Sequence, residues 1–233
     1  MKKKFFKYIS LGLVSILGLA VLGVLSSSII KPSKQINTIN LTVVLDAGHG
    51  GEDGGCVGTS TGIKESDLNL IYTQKVGALL TAMGVKVVYT RTTDQALYPI
   101  TSKDKKLDDM KKREEIVKKA NPQAVVSIHM NKFPSKTSSG AQVFYNDKSK
   151  NGEVLAKSIK EELVKNVDNA RDLHLAGDYY MVNCANAPSV IVECGFLSNP
   201  EDDEDTKLGF RFHKQDQIRR HNLLLRYRAY RLV

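Results

Sequence analysis

The chain has 233 residues, 42% of them hydrophobic, and it contains no internal repeat or low-complexity tract, so its composition indicates one globular domain with a tail and excludes a repeat array. Its formal net charge is +9, but the excess lies at the two ends, in four lysines among the first seven residues and six arginines among the last 23. Because no basic stripe with interleaved aromatic residues crosses the rest of the chain, we predict no nucleic-acid partner.

The amino terminus has the pattern of an export segment. Residues 8–30 form an uncharged stretch of 23 residues, which would extend about 34 Å as a helix and so cross the hydrocarbon core of a bilayer. Lysines precede it, as they do on the cytoplasmic side of membrane segments. We predict that residues 1–30 are a signal peptide or an uncleaved signal anchor, with the length favouring the anchor, and that residues 31–40 are a linker. The rest of the chain is then exported, either to the outer face of the membrane or beyond it.

From residue 41 to about residue 200, the spacing of apolar residues switches repeatedly between that of strands and that of helices. Strands are predicted over residues 41–45, 85–89, 124–128, 140–145 and 189–192, and helices over residues 68–83, 107–117 and 154–164. Strands that alternate with helices are typical of α/β proteins. We therefore predict a single α/β domain with a mostly parallel or mixed sheet and helices on both faces.

Two histidines directly follow predicted strands. His49 lies in the motif Asp-Ala-Gly-His-Gly-Gly after the strand at 41–45, and His129 lies in Ser-Ile-His-Met-Asn after the strand at 124–128. Open α/β sheets carry their sites beyond the carboxyl ends of the strands, so both imidazoles are expected at one edge of the sheet. Imidazole is a preferred zinc ligand, and this favours a metal site.

Two glutamates complete the candidate site. Glu65 stands at the start of the first predicted helix, and with two imidazoles it leaves a fourth position open on a tetrahedral Zn²⁺, as catalytic zinc sites do. Glu193 follows an apolar strand, where partial burial would raise its pKa toward the range of a general base. Each has an alternative role: Glu65 as an exposed carboxylate favoured by the helix dipole, and Glu193 as a buried ion-pair partner.

This ordered series of motifs resembles the zinc-dependent N-acetylmuramoyl-L-alanine amidases, which cut peptidoglycan between sugar and stem peptide. The resemblance covers roughly residues 41–202, which we predict to be the catalytic domain, and it also includes the motifs Thr-Arg at 90–91 and Val-Glu-Cys-Gly-Phe-Leu-Ser-Asn at 192–199. It implies that zinc is the cofactor and peptidoglycan the substrate. The metal ligands that it implies are His49, Glu65 and His129, and the catalytic carboxylate is Glu193.

The compact chain is most similar to the sporulation and germination branch of this family, so cell-wall or cortex remodelling is the expected role. Two other functions stay open on the sequence: an exported zinc peptidase that cuts another wall peptide bond, and a non-catalytic wall-binding scaffold. The sequence does not identify any accessory wall or spore protein.

Three further residues have two interpretations each. Asp46 either orients a ligand histidine or accepts from the backbone of the glycine loop. Arg113 either contacts substrate or pairs with a neighbouring acid, and Asn131 either contacts substrate or closes the turn after its strand.

The resemblance ends in residues 203–233, which we predict to be an atypical basic tail. The arginines at its end fall on all sides of a helical wheel and leave no wide apolar face. The first 210 residues contain 24 lysines and three arginines, whereas the last 23 contain one lysine and six arginines. This change suggests a shifted reading frame or an altered terminus.

Overall fold

The computed structural model describes residues 41–167 and 169–207. The predicted signal or anchor segment, the linker, and residues 208–233 of the predicted tail lie outside this range. Residues 203–207 were predicted to be part of the tail, but they belong to a helical segment that begins at residue 200.

The described residues form six strands and four helices, followed by the helical segment at 200–207. The strands are β1 (Thr42–Ala47), β2 (Lys86–Tyr89), β3 (Ala124–Asn131), β4 (Gln142–Tyr145), β5 (His174–Ala176) and β6 (Ser189–Phe196). The helices are α1 (Glu65–Ala82), α2 (Lys105–Ala120), α3 (Lys150–Asn166) and α4 (Tyr180–Asn183). All the predicted elements are present. Strand β5 and helix α4 were not predicted, because three or four residues are too few to show a periodicity.

The six strands form one mixed sheet in the order β2-β1-β3-β6-β4-β5. Its strand pairs are parallel except that of β4 with β6, which is antiparallel. Helices α1 and α3 pack on one face, where the core includes Leu45, Leu68 and Leu155. Helices α2 and α4 cover the other face through Val117 and Met181. The predicted α/β sheet with helices on both faces is therefore confirmed.

Helix α3 shows how the spacing of apolar residues and an N-terminal cap specify a helix with one buried face. Its Leu155, Ile159 and Leu163 recur every four residues and are at most 1% exposed, and burial of each such side chain contributes about 1.5–3 kcal/mol. The side chain of Ser149 accepts a hydrogen bond from the backbone N–H of Gly152 at 3.0 Å and so caps the start of the helix.

The parallel strands β1, β3 and β6 end at the same edge of the sheet, and the described chain begins at the opposite edge, at residue 41. Within residues 41–167 and 169–207, no helix is both long and apolar enough to cross a membrane.

Candidate metal centre

The structure brings the three predicted metal ligands together at the carboxyl edge of the sheet. Nε2 of His49 lies 3.2 Å from Oε1 of Glu65, and Nδ1 of His129 lies 3.0 Å from the same oxygen. One potential ligand atom from each residue lies within 4.8 Å of the other two. Because zinc binds nitrogen and oxygen ligands at about 2.0–2.2 Å, a single ion can bridge such a group after small adjustments.

Glycines make room for His49 and His129. The backbone of His49 is in the left-handed region, with φ 61°, and Gly50 and Gly51 that follow also have positive φ values, which glycine adopts at no steric cost. A Cβ atom on Gly48 would collide with the imidazole of His129. The glycines of the motif therefore allow a sharp turn and the close approach of two rings, whose centroids are 5.1 Å apart.

Glu65 is held from several directions at the start of α1 and is 4% exposed. Its Oε2 accepts from the backbone N–H of Cys56 at 2.9 Å, and its Oε1 accepts from the backbone N–H of Met130 at 3.2 Å. The side-chain amide of Asn69, one turn along α1, donates to Oε1 at 3.3 Å and to the carbonyl of Gly48 at 3.1 Å. The interpretation of Glu65 as an exposed helix-start carboxylate is therefore wrong. The role of Asn69 was missed, although its spacing from Glu65 places the two on one helix face.

The charges of these residues support one another. Burial alone would lower the pKa of His49, but hydrogen bonds to Glu65 and Asp53 outweigh it and raise that pKa to about 9. Burial alone would raise the pKa of Glu65, but hydrogen bonds from His129 and His49 hold it well below its ordinary value. The cluster thus stabilises a positive charge beside a carboxylate, and a metal ion that binds here must displace a proton from His49.

Glu193 lies beside this cluster. It is paired in register with His129 on the neighbouring strand, and residues paired in this way point to the same face of the sheet, with strands about 4.8 Å apart. Its Oε2 is buried and has no hydrogen-bond partner among the described residues. Burial raises the pKa of Glu193 to about 7, against the opposing effect of the His129 charge.

The interpretation of Glu193 as an ion-pair partner does not hold, because it forms no salt bridge within the described ranges. Leaving a buried oxygen without a partner costs about 1–3 kcal/mol, so this carboxylate is suited to contact substrate or water.

Asp46 has neither of its two predicted roles. It is fully buried and accepts from Nη1 of Arg113 at 2.6 Å, from Oγ1 of Thr90 at 2.6 Å and from the hydroxyl of Ser127. Burial would raise the pKa of Asp46, but the Arg113 charge and the two hydroxyls lower it to about 2. Besides Glu65, the carboxylate that contacts a predicted ligand histidine is that of Asp53, which lies four residues after His49 and was not singled out in the sequence.

Two buried arginines hold the backbone of the loop that carries His49. Arg113 pairs with Asp46 and Asp109 and donates to the carbonyl of His49 at 2.7 Å. Arg91 donates from Nη2 to the carbonyl of Gly48 at 2.9 Å. Because Arg113 is 0% exposed, the acid-pair interpretation is correct and direct contact with substrate is wrong.

Asn131 caps the turn after β3, since its Oδ1 accepts from the backbone N–H of Lys132 at 2.8 Å.

A cavity of about 470 Å³ lies away from the candidate site, between α2 and residues 183–187. None of the four residues His49, Glu65, His129 and Glu193 lines it. The candidate site is therefore identified by the geometry of its potential ligand atoms and not by a large cavity.

Comparisons with known proteins show to which family the sequence and the fold are related. The sequence profile of the family described as N-acetylmuramoyl-L-alanine amidase matches residues 43–209. The germination-specific N-acetylmuramoyl-L-alanine amidase of Bacillus subtilis is 38% identical over 174 residues, which are 72% of this chain and 70% of the relative.

Two solved structures are also similar. The CwlD amidase from Clostridioides difficile, solved in complex with the GerS lipoprotein, has a TM-score of 0.68 and 35% identity, covering 73% of this chain and 93% of that one. An N-acetylmuramoyl-L-alanine amidase from Clostridium difficile 630 has a TM-score of 0.65 and 26% identity, with coverages of 73% and 89%.

Proposed function

The chain belongs to the N-acetylmuramoyl-L-alanine amidase family, and on that premise we propose that it holds zinc through His49, Glu65 and His129 and uses Glu193 as its catalytic carboxylate. The reaction is hydrolysis of the amide bond between the lactyl group of N-acetylmuramic acid and the L-alanine of the stem peptide. The proposal rests on one observation: the three predicted ligand atoms lie within 4.8 Å of one another. Beside them, Oε2 of Glu193 is buried and has no hydrogen-bond partner among the described residues.

The donor set fits zinc. Two imidazole nitrogens and one carboxylate oxygen are the protein ligands of many catalytic zinc sites, which keep a fourth position open for water or substrate. When bound here, zinc would lower the pKa of a coordinated water and polarise the carbonyl of the scissile amide. The backbone of His49 is held by Arg113, the carboxylate of Glu65 accepts from the N–H of Met130, and His129 lies within the paired strand β3. All three groups are therefore held in place around the position of the ion.

Glu193 supplies the proton transfer. An amide is cleaved only if the attacking water loses a proton and the leaving nitrogen gains one, and a single carboxylate beside both atoms can do each in turn. Because Oε2 of Glu193 has no partner among the described residues, it is free to accept the proton of the attacking water. Its partly buried position keeps the carboxylate poorly solvated, which strengthens it as a base.

We place this reaction outside the cytoplasm, in cell-wall or spore-cortex remodelling. The predicted export segment at residues 1–30 and the name of the B. subtilis relative support this role. The CwlD amidase from Clostridioides difficile was solved in complex with a lipoprotein, and we propose that this chain likewise forms a complex with an accessory protein.

The test is mass analysis of the fragments that the full-length chain releases from purified peptidoglycan. The expected products are stem peptides with a free L-alanine amino group and glycan strands with free lactyl carboxylates, with release abolished by a chelator and restored by zinc. Elemental analysis should give about one zinc per chain, and a marked loss of zinc in His129→Ala. Fragments cut within the stem peptide would instead identify a peptidase, and binding without any release would identify a scaffold.

A further inference from the structure

Asp53 lies on the outer side of His49, away from Glu65. Its Oδ2 is 2.8 Å from Nδ1 of His49, while Nε2 of the same ring is 3.2 Å from Oε1 of Glu65. The imidazole therefore lies between two carboxylates, one at each nitrogen. Oδ1 of Asp53 accepts from the backbone N–H of Gly55 at 3.0 Å, so both of its oxygens have a partner.

A tight turn returns Asp53 to this position. The backbone N–H of Gly50 donates to the carbonyl of Asp53 at 2.8 Å, and the N–H of Asp53 donates to the carbonyl of Gly50 at 3.2 Å. The positive φ values of Gly50 and Gly51 allow the chain to reverse within these four residues. The spacing His-Gly-Gly-Glu-Asp thus brings a carboxylate to the ring of the histidine that begins the motif.

The two nitrogens of a neutral imidazole are not equivalent, because one carries a proton and only the other has a lone pair for a metal. An ionised carboxylate accepts hydrogen bonds and does not donate. Nδ1 of His49 must therefore carry the proton that is shared with Asp53, and Nε2 is left to face the metal position beside Glu65.

We propose that Asp53 is a positioning residue that keeps His49 in the tautomer and ring orientation required for zinc to bind at Nε2. The inference rests on the proposed zinc site and adds a residue to it. Asp53 is not a metal ligand and does not touch the reacting atoms, so it acts through His49 alone. Carboxylates that support a ligand histidine in this way typically change metal affinity by 10- to 100-fold when they are removed.

Asp53 also helps to order its loop through Gly55, and the chain offers a control for that role. Oδ1 of Asp94 accepts from the backbone N–H of Gly51 at 2.9 Å, so Asp94 holds the same loop but does not contact the imidazole of His49. Loss of loop order alone should therefore affect Asp94 and Asp53 variants to a similar extent.

Asp53→Asn is the diagnostic substitution. An asparagine has one acceptor oxygen where the aspartate has two, so it cannot accept from both Nδ1 of His49 and the N–H of Gly55. If its amide NH₂ faces the ring instead, it favours the tautomer with the proton on Nε2, which blocks the metal.

The experiment measures the zinc dissociation constant of the full-length chain by competition with a chelator, for the wild type, Asp53→Asn, Asp53→Ala and Asp94→Ala. We expect zinc to bind about 10- to 100-fold more weakly in both Asp53 variants than in the wild type. The dissociation constant of Asp94→Ala should stay within about threefold of the wild-type value. The Tm of zinc-free Asp53→Asn should be close to that of the zinc-free wild type. In the zinc-loaded wild type, nitrogen NMR of His49 should show a protonated Nδ1 protected from exchange, and Asp53→Ala should lose that protection.

A zinc dissociation constant for Asp53→Asn equal to that of the wild type would overturn the inference while leaving the zinc site intact. An equal loss of affinity in Asp94→Ala would also overturn it, because loop order would then be the cause. A wild-type chain that binds no zinc would reject the proposed metal centre together with the inference, so the two failures are distinguishable.

Discussion

The two glutamates of the site differ in the hydrogen-bond partners of their carboxylate oxygens. Glu65 has hydrogen-bond partners on all sides, whereas Glu193, which pairs in register with His129, has a buried oxygen without one. A carboxylate held by several donors is suited to remain charged and to bind a cation. One without donors is suited to exchange a proton. The two glutamates therefore have different roles although they lie at the same edge of the sheet.

The role of Glu193 leads to a prediction about catalysis. Glu193→Gln should leave zinc content and Tm nearly unchanged but lower kcat about 10²- to 10⁴-fold, equivalent to about 3–5 kcal/mol of barrier, because only proton transfer is removed. The measurement is release of stem peptides together with zinc content and Tm on one preparation. A folded, zinc-loaded variant with near wild-type release would exclude Glu193 as the catalytic base.

The buried Asp46–Arg113 pair leads to a prediction about acid stability. The pKa of Asp46 is about 2 in the folded protein, below its ordinary value of 3.8. A lowered folded-state pKa gives stability that is present above the unfolded-state pKa and is lost as the pH falls from about 4 toward 2. For Asp46 this is about 2 kcal/mol.

Urea unfolding of the chelated protein between pH 2 and 6 measures this contribution. In Asp46→Asn the unfolding free energy should be lower throughout and should fall less steeply below pH 4 than in the wild type. Asp172→Asn is the control for an exposed ion pair. A hydrogen bond from Lys160 lowers the pKa of Asp172, but its side chain is 75% exposed, so solvent screening should leave the slope nearly unchanged. An unchanged slope in Asp46→Asn would contradict the prediction.

At the scale of elements, two adjacent aspartates connect the helical segment 200–207 to the site. Oδ2 of Asp202 accepts from the backbone N–H groups of Gly140 and Phe196, each at 2.8 Å. Oδ2 of Asp203 accepts from the backbone N–H of Ser60 at 2.7 Å and that of Thr61 at 3.0 Å. The segment therefore fixes the end of β6, which carries Glu193, and the loop that leads into α1, which begins with Glu65.

The contacts of Asp203 predict a loss of stability on substitution. Asp203→Ala removes a fully buried carboxylate that accepts from the part-buried backbone N–H groups of Ser60 and Thr61. Because hydrogen bonds to a charged group are lost, the free energy of unfolding should fall by about 1–3 kcal/mol. Urea unfolding measures the change. Glu204→Ala is the matched control on the same segment, where the loss of a surface pair with Lys207 should cost less than about 0.5 kcal/mol. Equal effects of the two substitutions would show that Asp203 does not hold the loop.

At the scale of the whole molecule, the direction of the parallel strands places the candidate site and residue 41 at opposite edges of the sheet. The described chain begins at the edge of the sheet opposite the metal centre, and β1, six residues long, spans about 20 Å between the two edges. If residues 1–30 remain as an anchor, the domain is attached through residue 41, which lies at the edge of the sheet opposite the candidate site.

We predict that the full-length chain, expressed in a bacterium, is recovered in the membrane fraction with its amino terminus intact, because residues 8–30 are long enough to span the bilayer. Amino-terminal sequencing of the membrane and soluble fractions checks this. Replacing Lys2, Lys3, Lys4 and Lys7 by glutamine should reduce correct export, since these charges set the orientation. A soluble species that starts near residue 29 would show that the segment is a cleaved signal.

Local spacing in the sequence was enough to predict the long helices, most of the strands and the positions of the candidate ligands. Long periodic segments such as α3 bury one face wherever they pack, so local spacing was enough to predict them. His49 and His129 were found because each follows a strand, and parallel strands bring their carboxyl ends to one edge.

The polar residues that support the site could not be identified before the fold was known. Asp46 was expected to support His49 or its glycine loop. Its carboxylate instead accepts from Arg113, which is 67 positions away in sequence, and Asp53 contacts the imidazole of His49. The antiparallel pairing of β4 and the existence of β5 were likewise settled by neighbouring strands. These features depend on contacts between segments distant in the chain, and a hydrogen-bond partner chosen by three-dimensional proximity leaves no periodic signal in the sequence.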